Sequence, residues 1–431
     1  MNADQKKIPA RAAIDRRAVV AGGLGAMAAP ALLGVIAANA QSKTIKIGYV
    51  GAKTGALAVF SEADNFILDQ VRNVLAKGLQ SGGKTYPVEI IARDSQSSVT
   101  RAAAAASDLI LQDKVDLLLA ASLPNVTNPV ADQADANGVP CITTGCPWQA
   151  YFFGRNRKPP NGVASAYHFF WGLEDVFASY LALWDGAATN KIVGGLFADD
   201  FDGDVWLDPQ RGLPPALAGA GYTLHVAARY ETTNDDFTPQ IALFKQIGAE
   251  IVVGNMLPPD FATFWSQAAQ QDFRPKIVTI GKALAFPATI AALGDRGDGL
   301  STEIWWTPNF PFKSGLTGQT ARELAAAYMS ATRRPWTQPL GYQHAVFEVA
   351  VDVLKRAKSL DAKSILDAVI ATDYQSIVGP VKWTGQPAKT VTKTPLVAGQ
   401  WQRKGAGFDL VITENKTAPQ IPVGGKLALL A

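Results

Sequence analysis

The sequence predicts an α/β fold in two lobes. Length is the first reason, since 431 residues exceed what one ordinary hydrophobic core accommodates. Short, nearly continuous apolar runs alternate with helical segments, which suits strands buried on both faces of a parallel sheet. That strand–loop–helix rhythm then recurs in the second part of the chain, after about residue 172. Two similar halves in one chain suggest a hinge and a cleft that closes.

The first strand is I-K-I-G-Y-V, where Ile45, Ile47 and Tyr49 alternate with Lys46 and Gly48. Gly51 and Gly55 break it, and a helix follows through Phe66, Leu68, Val71 and Leu75. In open α/β sheets ligands sit beyond the carboxyl ends of strands, so the loop 51–60 is the first candidate site. Strands are predicted at 86–93, 115–121 and 139–143, with an alanine-rich helix at 100–112 and another from Thr127. In the second part, strands are predicted at 191–197, 222–230, 250–253 and 276–280. Helices are expected at 173–184, 213–220, 237–247 and 261–271. An extended piece at 305–308 leads to helices at 320–332, 342–359 and 363–370, and a strand-like tail from Val378.

Composition is that of a folded protein, 48% hydrophobic and 18% charged. The first 40 residues hold five of the 40 basic side chains and two of the 37 acidic ones, leaving 35 of each. Such balance gives no electrostatic footprint for nucleic acid. Arg16-Arg17, an apolar run and Ala38-Asn39-Ala40 read as an export signal over residues 1–40, resembling the twin-arginine type. A membrane anchor is the alternative, but the run is rich in Gly and Ala and a cleavage-like end follows at once. The protein is therefore expected outside the cytoplasm, in the periplasm. Cys141 and Cys146 could close a short disulfide or stay as buried thiols. With three scattered histidines they form no metal-ligand pattern, and no cofactor motif is present.

The opening I-K-I-G-Y-V-G-A-K-T-G-A-L-A carries a family resemblance. So do residues 115–129, Ile142-Thr143-Thr144, Asp272-Phe273 before Ile277, and V-G-P-V-K-W-T-G from Val378. In order and spacing, over about 44–401, they resemble periplasmic solute-binding proteins of the leucine/isoleucine/valine-binding type, receptors of ABC importers. The resemblance implies a type I periplasmic binding fold: two Rossmann-like lobes joined by three crossings near 168–171, 304–307 and 379–383. The N-terminal lobe would be 43–168 plus 308–380, and the C-terminal lobe 172–304 plus 383–431.

The resemblance also assigns contacts. They fall on Phe60 in the first loop, on Ser122, Leu123, Pro124 and Asn125, and on Gly145, Cys146, Pro147 and Trp148. The second lobe would contribute Phe201 or Asp202, Asn255 and Met256, and Lys282 or Ala283. Amino-acid binders of this type hold the carboxylate with hydroxyls and backbone N–H groups in lobe one. Pro124 and Pro147 stand there instead, and a proline has no N–H. Lys282 occupies the place of an expected carboxylate. The rings Phe60, Trp148, Tyr151, Phe201 and Trp306 suit a flat or apolar ligand. Trp171, Trp206 and Trp305 read more readily as core. The expected ligand is a small organic anion with an apolar or aromatic body, its charge paired with Lys282. A branched-chain or hydrophobic amino acid or amide is the alternative, with Asp200 or Asp202 taking the amine. The resemblance implies a monomeric capture protein that delivers its ligand to a membrane permease. An enzyme is disfavoured, because no G-x-S-x-G, H-E-x-x-H or phosphate-binding glycine loop occurs. A ligand-sensing receptor component is the third class.

Overall fold

The chain lays down two sheets that follow one ordering rule. In the computed structural model, which describes residues 43–156 and 165–430, the first sheet is wholly parallel. Its order is Val391–Thr392, Ala166–Phe169, Cys141–Thr144, Leu117–Ala121, Ile45–Gly51, Val88–Asp94. The second is ordered Gly407–Glu414, Val397–Lys404, Ser301–Ile304, Ile277–Lys282, Ile251–Met256, Ile192–Phe197, Thr223–Val226. Only the two joins at its Gly407–Glu414 end are antiparallel. Leu117–Ala121 and Ile251–Met256 are buried at every residue, as central parallel strands covered on both faces should be.

In each sheet the earliest strand lies between the second and the third. Ile45–Gly51 pairs with Val88–Asp94 on one side and Leu117–Ala121 on the other. Ile192–Phe197 sits likewise between Thr223–Val226 and Ile251–Met256. The chain therefore leaves the first strand toward opposite edges, which opens a crevice beyond the strands' carboxyl ends. Two such switch points exist, one per sheet.

Several boundaries differ from the sequence expectation. The strand expected to reach Tyr230 ends at Val226, and Tyr230 meets Ala198 through a single bridge. The helix expected from Thr127 already begins at Pro124, so Pro129 lies inside it. The passage expected at 379–383 comes later. Gly379–Lys382 forms a hairpin with Asp373–Ser376, and Val391–Thr392 then joins the first sheet beside His168 and Phe169. Trp383 explains the difference. Its ring packs edge-on against Tyr167 at 5.4 Å, and its indole N–H donates to the His168 carbonyl at 3.2 Å. The chain enters the second sheet only at Val397.

The helix Gln338–Arg356 is buried along nearly its whole length and packs under the first sheet. Its Gln343 amide donates to the Phe60 carbonyl at 2.6 Å and so holds the first loop. Glu174, at the start of the helix Leu173–Trp184, accepts from the Trp148 indole at 3.1 Å and pairs with Lys393 at 3.0 Å. One carboxylate thus ties the first passage between sheets to the third. Both cysteines are free, buried thiols, and burial pushes each thiol pKa up. Among the described residues no helix is long and apolar enough to cross a membrane. The expected export signal and most of the basic loop 155–161 lie outside the described residues.

Candidate ligand-binding site

The two switch points face one another across a cavity of about 400 Å³. Most of its lining comes from loops just beyond the strands that flank the switch points, with Ser97, Tyr230, Thr232 and Lys282 added from neighbouring strands' ends. The first sheet contributes Leu57 after Ile45–Gly51, and Leu123, Pro124 and Asn125 after Leu117–Ala121. The second contributes Asp200, Phe201 and Asp202 after Ile192–Phe197, and Leu257 and Asp260 after Ile251–Met256. Leu123, Asp202, Asn255 and Lys282 also line a narrow inner pocket of about 20 Å³, room for about one water. Larger hollows of about 620 Å³ lie elsewhere, one around Trp265 and Arg403, and neither touches a switch point.

The first-sheet side is braced by short polar links. The Ser97 hydroxyl donates to the Thr54 carbonyl at 2.7 Å and accepts from the Leu57 N–H at 3.0 Å. The Ser61 hydroxyl accepts from the Ala52 N–H at 2.9 Å. Gly145 has φ +104°, and a Cβ there would lie 2.8 Å from the Ser122 main chain, so only glycine fits. Beneath this side Asp64 accepts from the Tyr49 hydroxyl at 2.8 Å, and burial pushes its carboxyl pKa up to about 7.

Lys282 is the most constrained residue of the site. Its backbone sits at φ +59°, ψ −67°, the γ-turn region that costs a non-glycine residue about 1–3 kcal/mol. Its ammonium pairs with Asp202, and both side chains are nearly buried. Burial works against that charge, but Asp202 first and Asp200 after it hold the lysine pKa above its ordinary value. Glu303 stands behind the pair and accepts from the Tyr180 hydroxyl. Burial raises the Glu303 pKa, and the Tyr180 hydrogen bond offsets part of the rise.

The floor of the inner pocket is aromatic, formed by Phe60, Phe170, Trp171, Trp206 and Trp305. Phe170 and Trp171 belong to the first passage between sheets, and Trp305 to the second. Their rings meet at centroid distances of 4.4 to 6.1 Å. The indole N–H groups of Trp171 and Trp305 and the Ser122 hydroxyl are buried with no partner among the described residues. Buried donors of this kind cost free energy until an acceptor reaches them.

The expected contact residues divide. Phe60, Leu123, Pro124, Asn125, Gly145, Pro147, Phe201, Asp202, Asn255 and Lys282 line one or both cavities. Ser122 lies against Gly145, one residue back. Cys146, Trp148 and Met256 do not line them. The Cys146 thiol contacts the Thr127 hydroxyl at 3.3 Å, and its carbonyl accepts from the His168 ring at 2.9 Å. Trp148 is drawn away by Glu174. Met256 is wholly buried because neighbouring strand residues face opposite sides, and Asn255 takes the open side. Tyr151 stacks on His168 at 4.2 Å, and Trp306 is core against Trp336. Trp171, Trp206 and Trp305, read as core from sequence, line the pocket instead. Tyr230, Asp260 and Glu303 were not anticipated.

The lobes meet at the cleft rim. The Phe201 ring lies where a Cβ on Gly154 would stand 2.8 Å from it. The Arg211 guanidinium covers the Phe153 ring at 4.4 Å.

Residues 44–406 match the family model described as periplasmic binding protein. The fold is similar to a leucine-binding protein of Thermotoga maritima, at TM-score 0.70 and 16% identity over 86% of this chain and 99% of that one. It is similar, at TM-score 0.71 and 16% identity, to an ABC-transporter solute-binding protein of Rhodopseudomonas palustris in complex with 3,4-dihydroxybenzoic acid. That match covers 88% of this chain and 99% of the other. A Streptococcus pneumoniae branched-chain amino acid transporter substrate-binding protein in complex with isoleucine matches at TM-score 0.66 and 15% identity, over 86% and 100%. Two switch-point sheets around one cleft, with the match over most of the chain, place it: the chain belongs to the periplasmic binding protein family, of type I fold, and is a solute-binding protein rather than an enzyme.

Proposed function

We propose that this protein is the exported receptor of an ABC importer and captures a small aromatic or apolar carboxylate. The observation that carries the ligand class is the inner pocket, lined by five rings, two of whose indole N–H groups have no partner among the described residues. The planar body takes the room of the adjoining cavity of about 400 Å³ with the rings as its floor, stacking being worth about 0.5–1.5 kcal/mol per pair beyond burial. The Trp171 and Trp305 N–H groups take the acceptor oxygens. Lys282, held between Asp202 and the pocket, supplies the positive charge nearest to them. Relatives of the same fold that are described as complexes with hydroxybenzoates are consistent with this reading.

The lobes comprise 43–168 plus 308–392 and 172–304 plus 397–431. Ligand enters the open form and contacts both lobes, and its differential affinity stabilises the closed form. A permease then reads the closed pair of surfaces in the periplasm, where the protein acts as a monomer. A branched-chain amino acid is the second reading. It is favoured by the cavity's three aspartates against one lysine, which suit an amine.

Thermal shift of the purified protein tests the choice, with benzoates, aliphatic carboxylates, leucine, isoleucine and phenylalanine as probes. A ligand at a hundred times its dissociation constant adds about 2.7 kcal/mol of stability. Stabilisation by benzoates, weakened in Trp305→Phe, is the expected result. Stabilisation by leucine or isoleucine alone would sink the aromatic-acid reading.

A further inference from the structure

The second lobe holds a cavity of about 620 Å³ that is separate from the cleft. It lies at the other pole of the second sheet. Residues 272–275 and 298–299 line it, just before the strands Ile277–Lys282 and Ser301–Ile304 begin. The cleft is lined instead by Lys282, at the far end of the first of these strands. A molecule bound at this pole therefore leaves the cleft free. The volume falls within the range of about 300–1,000 Å³ that small-molecule sites occupy.

Two apolar groups are held in place at its edge. The Trp265 indole N–H donates to the Arg296 carbonyl at 2.9 Å, and the Arg296 guanidinium donates back to the Trp265 carbonyl at 3.1 Å. This reciprocal pair ties the helix Pro258–Gln270 to the turn Gly294–Gly297. Phe261 stacks on the indole at 6.2 Å and braces it. The C-terminal segment supplies the second group. Gln400 exchanges hydrogen bonds of 3.0 and 2.7 Å with the Ala428 main chain, and the Leu430 N–H donates to the Lys276 carbonyl at 2.8 Å. Between these anchors Leu429 lines the cavity and is 42% exposed.

The charges are even in number, three arginines and three aspartates, but not in pairing. Arg403 pairs with Asp295, and Arg274 with Asp272 at 2.7 Å. Asp298 accepts from the Arg403 main-chain N–H at 2.7 Å. Arg296 donates to the Trp265 carbonyl and pairs with no carboxylate among the described residues. Its remaining N–H groups are free for an acceptor, and the planar fork of a guanidinium matches a carboxylate.

We propose that this cavity is a second ligand site, for a flat organic anion. The ligand's body stacks on Trp265 and covers Leu429, and its carboxylate accepts from Arg296. The site stands whichever solute the cleft takes.

Hydrogen–deuterium exchange tests it, because it reports where on the chain a probe binds. The probes are 2-naphthoate, naphthalene-2-methanol and 2-naphthylmethylamine, on the full chain and on Arg296→Ala and Leu429→Asp. Both substituted side chains are exposed, so the core is left intact. The expected result is that 2-naphthoate slows exchange at 294–299 and 426–430. The alcohol and the amine should need at least fivefold higher concentration for the same protection. So should 2-naphthoate on Arg296→Ala. Leu429→Asp should abolish protection at this pole and leave any protection of the cleft loops 122–125 and 200–203 unchanged. Protection of the cleft loops alone, or of neither region, overturns the site. So does protection at 294–299 and 426–430 that survives both substitutions. Equal protection by the alcohol or the amine overturns the anion assignment.

Discussion

On the first-sheet wall the cavity meets Leu57, Leu123, Pro124 and Asn125; on the second-sheet wall it meets Asp200, Asp202, Asp260 and Lys282. The same topology produced both walls, each at the switch point of a sheet ordered in the same way. Topology therefore sets where the walls stand and says nothing of their charge. The neutral wall selects by shape, and a buried acid, Asp64, is kept beneath it against Tyr49. The charged wall selects by polarity and pays for that with a strained lysine and an internal ion pair.

The strongest way to break this contrast is Lys282→Met. It strands Asp202 without its cation and should cost about 3–5 kcal/mol in urea unfolding. Adding Asp202→Asn to the same chain should restore most of the loss. A loss of under about 1 kcal/mol in Lys282→Met would mean that the pair is solvated. The next effect lies under the neutral wall. The Asp64 pKa of about 7 exceeds its unfolded value of 3.8, so the folded state binds the extra proton between those limits. Stability from this group is full below about pH 4 and falls as pH rises toward 7, by about 1.4 kcal/mol per unit. Asp64→Asn should remove that slope, read as unfolding free energy at several pH values. An unchanged slope would place the titration elsewhere.

Gly145→Ala tests the shape of the neutral wall. Its φ and its contact with Ser122 predict a cost of about 1–3 kcal/mol. Trp305→Phe keeps a ring and removes one N–H, so binding of an aromatic acid should weaken by about 1 kcal/mol, several-fold in titration. Asn125→Ala, on the neutral wall, should change affinity by under about 0.5 kcal/mol. A larger effect there would show that the first wall also reads polarity.

The loops of the site could be read from sequence because glycine, proline and polar residues follow each apolar run, and a strand's carboxyl end is where ligands sit. Within those loops, Leu123, Asp202, Asn255 and Lys282 came from the family resemblance. The tryptophans were not separable so. Trp171 and Trp305 sit in the passages between sheets, and they line a pocket only once both passages pack side by side. Trp148 looked equally suitable, but a carboxylate 26 residues later turns its indole away. Asp260 after Pro258-Pro259 has the pattern of an ordinary helix start, and nothing in its spacing distinguishes a cap from a ligand contact. The third passage was misplaced because Gly379–Lys382 reads as a strand, while its partner in the hairpin and the anchoring of Trp383 are tertiary facts.

The strand Val391–Thr392 completes the edge of the first sheet, and the two strands after it complete the second. Neither lobe is a continuous stretch of chain, so neither can finish folding during synthesis until the final segment has emerged. A chain truncated at residue 390 would not be a one-lobed protein. It would be a two-lobed protein short of one strand in the first sheet and two in the second, its buried strands Ala166–Phe169 and Ser301–Ile304 laid open at new edges that can pair with other copies.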